Sequence, residues 1–249
     1  MMLEALDPDK VLVCGDWHRR TAWAVHILEY AARHGIKVVV QVGDFGVHPP
    51  NRYTETLETT CDRLGITLVF VDGNHENFEY LYSLPVRDDG MRQISAHVMH
   101  LPRGLRWRWK GQTWLALGGA HSVDRSQLTA GVNWWPQESI TPTDYERAVA
   151  GGRADVMICH DAPNSVDTPM GRAEGYPDVD LYLSAANRRM VGDVVREVQP
   201  QILIHGHYHV AYRDVSREGT RVIGLDRDGT TLARSTVMLA LPGPKIIDL

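Results

Sequence analysis

Five short apolar runs along the chain predict buried β-strands. They cover residues 11–14, 38–42, 68–72, 156–159 and 202–205, and they consist mainly of aliphatic and aromatic side chains. Runs without regular polar alternation are typical of strands that are buried on both faces, as in a parallel sheet covered by helices. The pattern therefore predicts a parallel sheet.

Helical patterns lie between these runs. We expect helices over residues 19–34, 52–64 and 181–198, and a further helix that begins at Thr143-Asp144-Tyr145-Glu146, a spacing typical of a capping box. Gly35 and Gly65 should end the first two helices, and Pro200 the last. The alternation of strands and helices predicts an α/β fold.

The remaining segments are shorter and richer in turns. Residues 97–118 and 209–241 alternate in hydrophobicity, which predicts a second, mostly antiparallel sheet. Residues 161–180 carry several Gly and Pro residues and directly follow His160, so we predict a loop there. That loop either faces a substrate or is an ordinary surface loop.

Each apolar run ends in a block of polar residues that can bind metal ions. The blocks are Gly15-Asp16-Trp17-His18, Gly43-Asp44, Gly73-Asn74-His75-Glu76, Cys159-His160 and Gly206-His207-Tyr208-His209. Because the carboxyl ends of parallel strands meet at one sheet edge, we expect these side chains to lie together. Imidazole and carboxylate ligands suit Mn, Fe, Zn, Co or Ni, and two adjacent divalent ions suit phosphate ester hydrolysis.

The blocks resemble the motifs of the calcineurin-like metallophosphoesterases. That family's order is Asp-x-His, Gly-Asp, Gly-Asn-His-Asp or Glu, a single His, and Gly-His-x-His, and all five motifs occur here between Asp16 and His209. The resemblance implies a four-layer α-β-β-α sandwich with two mixed β-sheets, as one domain over residues 1–249. It also implies two divalent metal ions per chain, and Mn is the favoured metal.

The resemblance assigns a role to each motif residue. It implies that the first metal ion is bound by Asp16, His18 and His209. The second ion would be bound by Asn74, His160 and His207, and Asp44 would bridge the two ions. A hydroxide held between the ions would attack phosphorus in line. His75 would not be a ligand but would protonate the leaving oxygen or stabilise the transition state.

Two positions depart from the family's pattern. Phosphoprotein phosphatases of this superfamily carry a second Asp after the Gly-Asp motif, which orients the catalytic His, whereas this chain has Val47 there. The departure favours a phosphodiesterase. The first motif usually continues with Gly, but Arg19 follows His18 here. Arg19 is either a phosphate contact or the beginning of a helix.

Tryptophan residues cluster in one part of the chain. Trp107 and Trp109 alternate on a predicted strand, and we assign them to the core. Trp134 and Trp135 lie in a polar-flanked segment. They are candidates for a shelf on which a nucleobase stacks, and the alternative is that both belong to the core.

Two further residues are candidates near the site. Arg125 follows a glycine-rich turn and is either a phosphate contact or a structural partner of Asp124. His205 precedes the expected ligand His207 by two residues. We predict that His205 orients His207 through a hydrogen bond.

Composition is that of an ordinary soluble enzyme. With 249 residues, 43% of them hydrophobic, the chain is long enough to bury a core. No apolar stretch approaches the roughly 20 residues of a membrane span, and residues 1–4 lack a signal pattern, so we expect a cytoplasmic protein. The net charge of −5 disfavours a long nucleic acid as partner. The cysteines, Cys14, Cys61 and Cys159, should be buried and unpaired.

These patterns favour a metal-dependent phosphoric ester hydrolase. We predict a phosphodiesterase that acts on nucleotide-type or other small phosphodiesters. The enzymatic alternative is a phosphomonoesterase or a protein serine/threonine phosphatase. A non-catalytic metal-binding interaction scaffold on the same fold is disfavoured, because every expected ligand is present. The substrate and the oligomeric state are not specified by the pattern.

Overall fold

Thirteen strands and six α-helices form within residues 2–169 and 175–247, which are the residues that this computed structural model describes. The strands are β1 (Lys10–Cys14), β2 (Val38–Gln41), β3 (Thr67–Phe70), β4 (Arg92–Gln93), β5 (Val98–His100), β6 (Arg106–Trp109), β7 (Gln112–Leu117), β8 (Val156–Cys159), β9 (Ile202–His205), β10 (Tyr212–Val215), β11 (Arg221–Gly224), β12 (Thr236–Ala240) and β13 (Lys245–Ile247). The helices are α1 (Thr21–Arg33), α2 (Arg52–Leu64), α3 (Phe78–Ser83), α4 (Pro142–Ala150), α5 (Asp178–Val198) and α6 (Leu232–Ser235).

The strands form two mixed sheets, as expected. The first has the order β13-β12-β1-β2-β3-β5-β4, and the second has the order β10-β11-β9-β8-β7-β6. In each sheet four neighbouring strands run parallel, and the strands outside them pair antiparallel. The prediction of a mostly antiparallel second sheet from residues 97–118 and 209–241 was wrong. Those segments contribute β5 and β12 to the first sheet, and β7 and β11 join the second sheet through parallel pairs.

Four layers result from burying both faces of each sheet. The two sheets pack against each other through aliphatic residues and three tryptophans, Trp107, Trp109 and Trp114, which confirms the core assignment of Trp107 and Trp109. Helices α1 and α2 cover the outer face of the first sheet. Helices α4 and α5 cover the outer face of the second. This is the α-β-β-α sandwich that the resemblance implied.

Local end signals explain the helix bounds. Helix α2 occupies the predicted residues and ends at Gly65, whose left-handed φ of 61° suits glycine. Helix α4 begins at Pro142, one residue before the expected Thr143. Its capping residue is Thr141, whose side chain accepts a hydrogen bond from the Asp144 amide, and Pro142 takes the first helical position, where no N–H is needed.

The remaining predictions about the chain have mixed outcomes. Cys14, Cys61 and Cys159 are buried and free, as predicted. None of the helices among the described residues is long and apolar enough to cross a bilayer. In the predicted loop over 161–180, residues 170–174 lie outside the described residues. The first part of that loop packs on α5, since Arg188 donates hydrogen bonds to the carbonyls of Pro163 and Val166.

Candidate metal centre

The ligand motifs come from both sheets. Strands β1, β2 and β3 of the first sheet lead into Asp16, Asp44 and Asn74, and strands β8 and β9 of the second lead into His160 and His207. The expectation that a single sheet edge supplies all of them was therefore wrong. The motifs still meet, because the carboxyl ends of the central strands of both sheets lie on the same side of the sandwich.

The backbone around these ligands is strained. His18, Asp44, His207 and His209 all have left-handed φ values, between 42° and 68°, and so does Arg19 at 60°. Residues other than glycine rarely adopt these φ values, and those that do cluster at functional sites. Tight turns directly after the strands therefore aim the ligand side chains inward.

One glycine permits the close approach of the two sheets at this point. Gly43 has a φ of 106°, and a Cβ atom there would lie 2.3 Å from His160 Nδ1. Any side chain at Gly43 would push His160 away from Asp44. The Gly-Asp motif is thus required for packing as well as for its carboxylate.

A first ligand group is formed by two carboxylates and two imidazoles. Asp16, His18, Asp44 and His209 place one ligand atom each within 4.8 Å of one another. His209 Nε2 lies 3.2 Å from Asp16 Oδ2. This nitrogen is buried, yet it makes no hydrogen bond among the described residues. A cation between these atoms would satisfy both, so the donor set fits a divalent metal ion.

A second ligand group lies on the other side of Asp44. His160 Nδ1 faces the Val42 carbonyl at 2.9 Å and must donate to it, which leaves Nε2 available. His160 Nε2 lies 3.1 Å from Asn74 Oδ1 and 3.3 Å from Asp44 Oδ1. The His207 ring packs edge-on against the His160 ring, with centroids 5.0 Å apart. These atoms also fit a metal ion.

Asp44 occupies the place of a bridge. Its Oδ2 lies 3.4 Å from His18 Nε2 in the first group, and its Oδ1 lies 3.3 Å from His160 Nε2 in the second. The carboxylate is almost fully buried. One carboxylate that contacts two ligand groups from separate oxygens can hold two cations close together.

The electrostatics of the site demand positive charge. Burial lowers the pKa of His160 and His18, but the Asp44 carboxylate outweighs it and raises these pKa values to about 10 and about 9. Burial raises the pKa of Asp44, yet His160 and His75 hold that pKa well below its usual value. Burial keeps the pKa of His207 well below its usual value. Metal ions would supply the charge that protons supply in their absence.

Two carboxylates that sequence analysis missed support the ligands. Asp228 Oδ1 accepts a hydrogen bond from His18 Nδ1 at 2.7 Å, which leaves His18 Nε2 directed at Asp44. Glu76 is buried and accepts hydrogen bonds from four backbone amides on the loops of Asp44 and Asn74, namely Phe45, Gly46, Val47 and Gly73. Glu76 lies within a recognised motif, but its role depends on burial. Asp228 carries no local signal at all.

His75 lies at the open rim of the centre. Its side chain is exposed, its backbone amide donates to Asp44 Oδ1 at 3.0 Å, and its ring centroid is 6.1 Å from that of His18. Among the described residues no carboxylate hydrogen-bonds to its ring, and Val47 is buried in the core. The His75 imidazole is therefore free to contact a substrate.

Trp134 and Trp135, the two candidates for an aromatic shelf, differ in burial. Trp135 is 6% exposed, which favours the alternative that it belongs to the core. Trp134 is half-buried, and the Arg125 guanidinium lies 5.7 Å from its ring centroid. Arg125 pairs through Nε with Asp180 at 2.8 Å, instead of with Asp124. This ion pair favours a structural role for Arg125.

His205 and Arg19 complete the predicted residues. His205 hydrogen-bonds to the Gly206 carbonyl and to the Tyr212 hydroxyl, and within the described chain it makes no hydrogen bond to the His207 ring. The prediction that it orients the His207 ring was wrong, since its contact is with the ligand loop's backbone. Arg19 is exposed beside the centre, and its aliphatic part lies over Gly46.

Comparisons with known proteins agree with this geometry. A family model described as calcineurin-like phosphoesterase matches residues 9–211, which is more than half of the chain. A search of the curated proteins gave no match.

Several solved structures are similar in fold. A dimetal phosphatase from Danio rerio has 13% identity and a TM-score of 0.59, over 95% of this chain and 94% of that chain. The protein TT1561 of Thermus thermophilus has 11% identity and a TM-score of 0.58, over 96% and 97% of the two chains. GAP50, the anchor in the inner membrane complex of Plasmodium, has 10% identity and a TM-score of 0.51, over 96% and 82%. At such identities the likeness shows a shared fold.

Proposed function

The chain belongs to the calcineurin-like phosphoesterase family, and from this premise we propose that it is a binuclear metal-dependent phosphodiesterase of small, nucleotide-type phosphodiesters. The observation that carries the proposal is the position of Asp44 between two ligand groups, 3.4 and 3.3 Å from an imidazole nitrogen of each. Two divalent ions at such a site neutralise phosphate oxygens and lower the pKa of water. Mn is favoured, and Fe, Zn, Ni and Co suit the same ligands.

The ligand assignment is part of this proposal. The first ion would be held by Asp16, His18 and His209. The second ion would be held by Asn74, His160 and His207, and Asp44 would hold both. His75 would donate a proton to the leaving oxygen from its exposed position at the rim. The amide of Asn74 would keep its oxygen directed into the centre, 3.1 Å from His160 Nε2.

A cavity beside the centre supports the diester preference. It has a volume of roughly 660 Å³ and adjoins His18 through Asp228. Its lining includes Arg19, Arg20, Arg227 and Trp23. A diester carries a second group on phosphorus, and this cavity offers room for it. Three arginines against one aspartate favour a second group that is itself anionic, such as a nucleotide phosphate.

The test is hydrolysis by the purified protein with Mn²⁺. We expect an aryl phosphodiester and short nucleotide diesters to be cleaved with kcat/KM values at least about tenfold above those for the matching monoesters. His75→Ala should keep both metal ions but lose about 100-fold or more in rate on nucleotide diesters, whose leaving groups need a proton. Asp44→Ala should lose metal as well as activity, because two cations would remain uncompensated.

His34→Ala is the matched control, since His34 is exposed at the far end of α1. Faster cleavage of monoesters would replace the proposal by a phosphomonoesterase. Two bound ions without hydrolysis of any phosphoester would indicate a binding scaffold. Loss of metal in His75→Ala would show that His75 is a ligand.

A further inference from the structure

A buried chain of hydrogen bonds leads away from Asn74. Its amide Nδ2 donates to Ser122 Oγ at 3.0 Å, and Ser122 Oγ donates to Glu138 Oε2 at 2.6 Å. The Ser122 backbone amide donates to the other Glu138 oxygen at 2.9 Å. The three residues are 3%, 2% and 1% exposed. Water therefore does not compete for these donors and acceptors.

The direction of this chain follows from what each group can do. When it is ionised, the Glu138 carboxylate can only accept, so the single hydroxyl proton of Ser122 is directed at it. The Ser122 oxygen is then left as an acceptor towards Asn74. Only the NH2 group of the Asn74 amide can donate a hydrogen bond to this acceptor. The amide oxygen is consequently turned to the opposite side, towards His160.

We propose that Glu138, acting through Ser122, is a positioning residue that decides which end of the Asn74 amide faces the second metal ion; the inference rests on the proposed ligand set. An amide offers a cation one ligand atom, its oxygen, whereas its NH2 group repels a cation. A rotation of the amide by half a turn would thus convert a ligand into an obstacle with almost no change of shape.

The surrounding structure holds both ends of this chain in place. Arg103 pairs with Asp72, two residues before Asn74, through Nε at 2.8 Å and Nη2 at 2.6 Å. The same guanidinium donates to the backbone carbonyls of Glu138 and Ser139 at 2.8 and 2.6 Å. Arg103 therefore holds the loop of Glu138 against the loop of Asn74. With both loops fixed, only the direction of the hydrogen bonds between Glu138, Ser122 and Asn74 can change.

The decisive variant is Glu138→Gln, which keeps the shape and reverses the polarity. The Ser122 backbone amide still needs an acceptor, so the Gln oxygen faces it and the Gln NH2 faces Ser122 Oγ. The Ser122 proton then points at Asn74 and favours the flipped amide. We expect the affinity for the second Mn²⁺ to fall by about 10- to 100-fold, with the first hardly changed. Isothermal titration of the metal-free protein with MnCl2 measures both.

Two further variants separate orientation from simple damage. Ser122→Ala removes the hydroxyl that links the two side chains, so adding Glu138→Gln to it should cause no further loss of metal affinity. Asn74→Asp has two equivalent oxygens that both accept hydrogen bonds, so in this background the Ser122 proton released by Glu138→Gln is favourable, and Glu138→Gln should leave the affinity for the second Mn²⁺ unchanged or raise it. The spin-coupled electron paramagnetic resonance signal of a Mn pair gives an independent reading of double occupancy.

Each outcome decides the matter. Additive losses in the double variants, or equal weakening of both ions with a lowered melting temperature, would show that Glu138 only supports the fold and would overturn the inference. So would unchanged second-ion binding in Glu138→Gln. Wild-type protein that binds no Mn²⁺ would overturn the proposed function instead, which keeps the two failures distinguishable.

Discussion

Replacing Glu76 with Gln tests how the loop that carries Asp44 is held. Glu76 Oε1 accepts the amides of Phe45 and Gly73 at 2.8 and 3.3 Å. Glu76 Oε2 accepts those of Gly46 and Val47 at 2.9 and 2.7 Å. Gln fills the same space, but one oxygen becomes an NH2 group. In either orientation two backbone donors face another donor.

The magnitude follows from this count. A buried donor that loses its partner costs about 1–3 kcal/mol, so two such donors cost about 2–6 kcal/mol. Part of this is offset, because burial and the neighbouring Asp44 raise the pKa of Glu76 to about 7, and Gln removes that unfavourable charge. We therefore expect a net loss of about 2 kcal/mol or more from a stability of roughly 5–15 kcal/mol.

Urea unfolding of the metal-free protein at pH 8 measures the effect without interference from metal binding. Glu79→Gln is the matched control, since Glu79 is exposed on α3 and should change stability by less than about 0.5 kcal/mol. A Glu76→Gln loss no larger than the Glu79→Gln loss would refute the role assigned to Glu76. If Glu76→Gln lowers the stability but still binds Mn²⁺ fully, the loop of Asp44 keeps its shape without the Glu76 carboxylate.

Two further predictions concern pH and packing. Because the pKa of His160 is raised from 6.5 to about 10 in the folded, metal-free protein, its proton stabilises the fold below about pH 6.5, and that contribution is lost as the pH rises towards 10. The melting temperature of the metal-free protein should fall over this pH window, while the affinity for Mn²⁺ rises. Calorimetry of Mn²⁺ binding in two buffers should detect the release of protons. An affinity that does not depend on pH would contradict the prediction. Trp135→Ala should cost about 3–5 kcal/mol and slow all substrates alike, because Trp135 is buried, whereas Trp134→Ala should cost much less.

Features encoded by neighbouring residues could be predicted from the sequence. The ligand motifs each follow directly from an apolar run, so Asp16, Asp44 and His160 could be recognised without knowing the fold. Helix α2 could be bounded closely because Gly65 supplies a left-handed end. The four-layer architecture followed from the resemblance that these motifs carry, and the structure confirms it.

Features that depend on distant partners could not be predicted. Asp228 reaches His18 across 210 positions of the chain, and no spacing rule connects them. Arg125 has an acidic neighbour in sequence, yet it pairs with Asp180, because packing of α5 brings that carboxylate closer. Strands β5 and β12 carry no local sign of which sheet they join, since their pairing depends on strands that are distant in the sequence.

The derivation of the ligands from two sheets has a kinetic consequence. In the proposed arrangement the first ion takes Asp16 and His18 from loops of the first sheet and His209 from the second, and the second ion likewise joins Asn74 to His160. Each ion would thus cross-link the halves of the sandwich. The halves could then separate only after both ions had left, so the rate of ion dissociation would limit how fast the loaded protein unfolds.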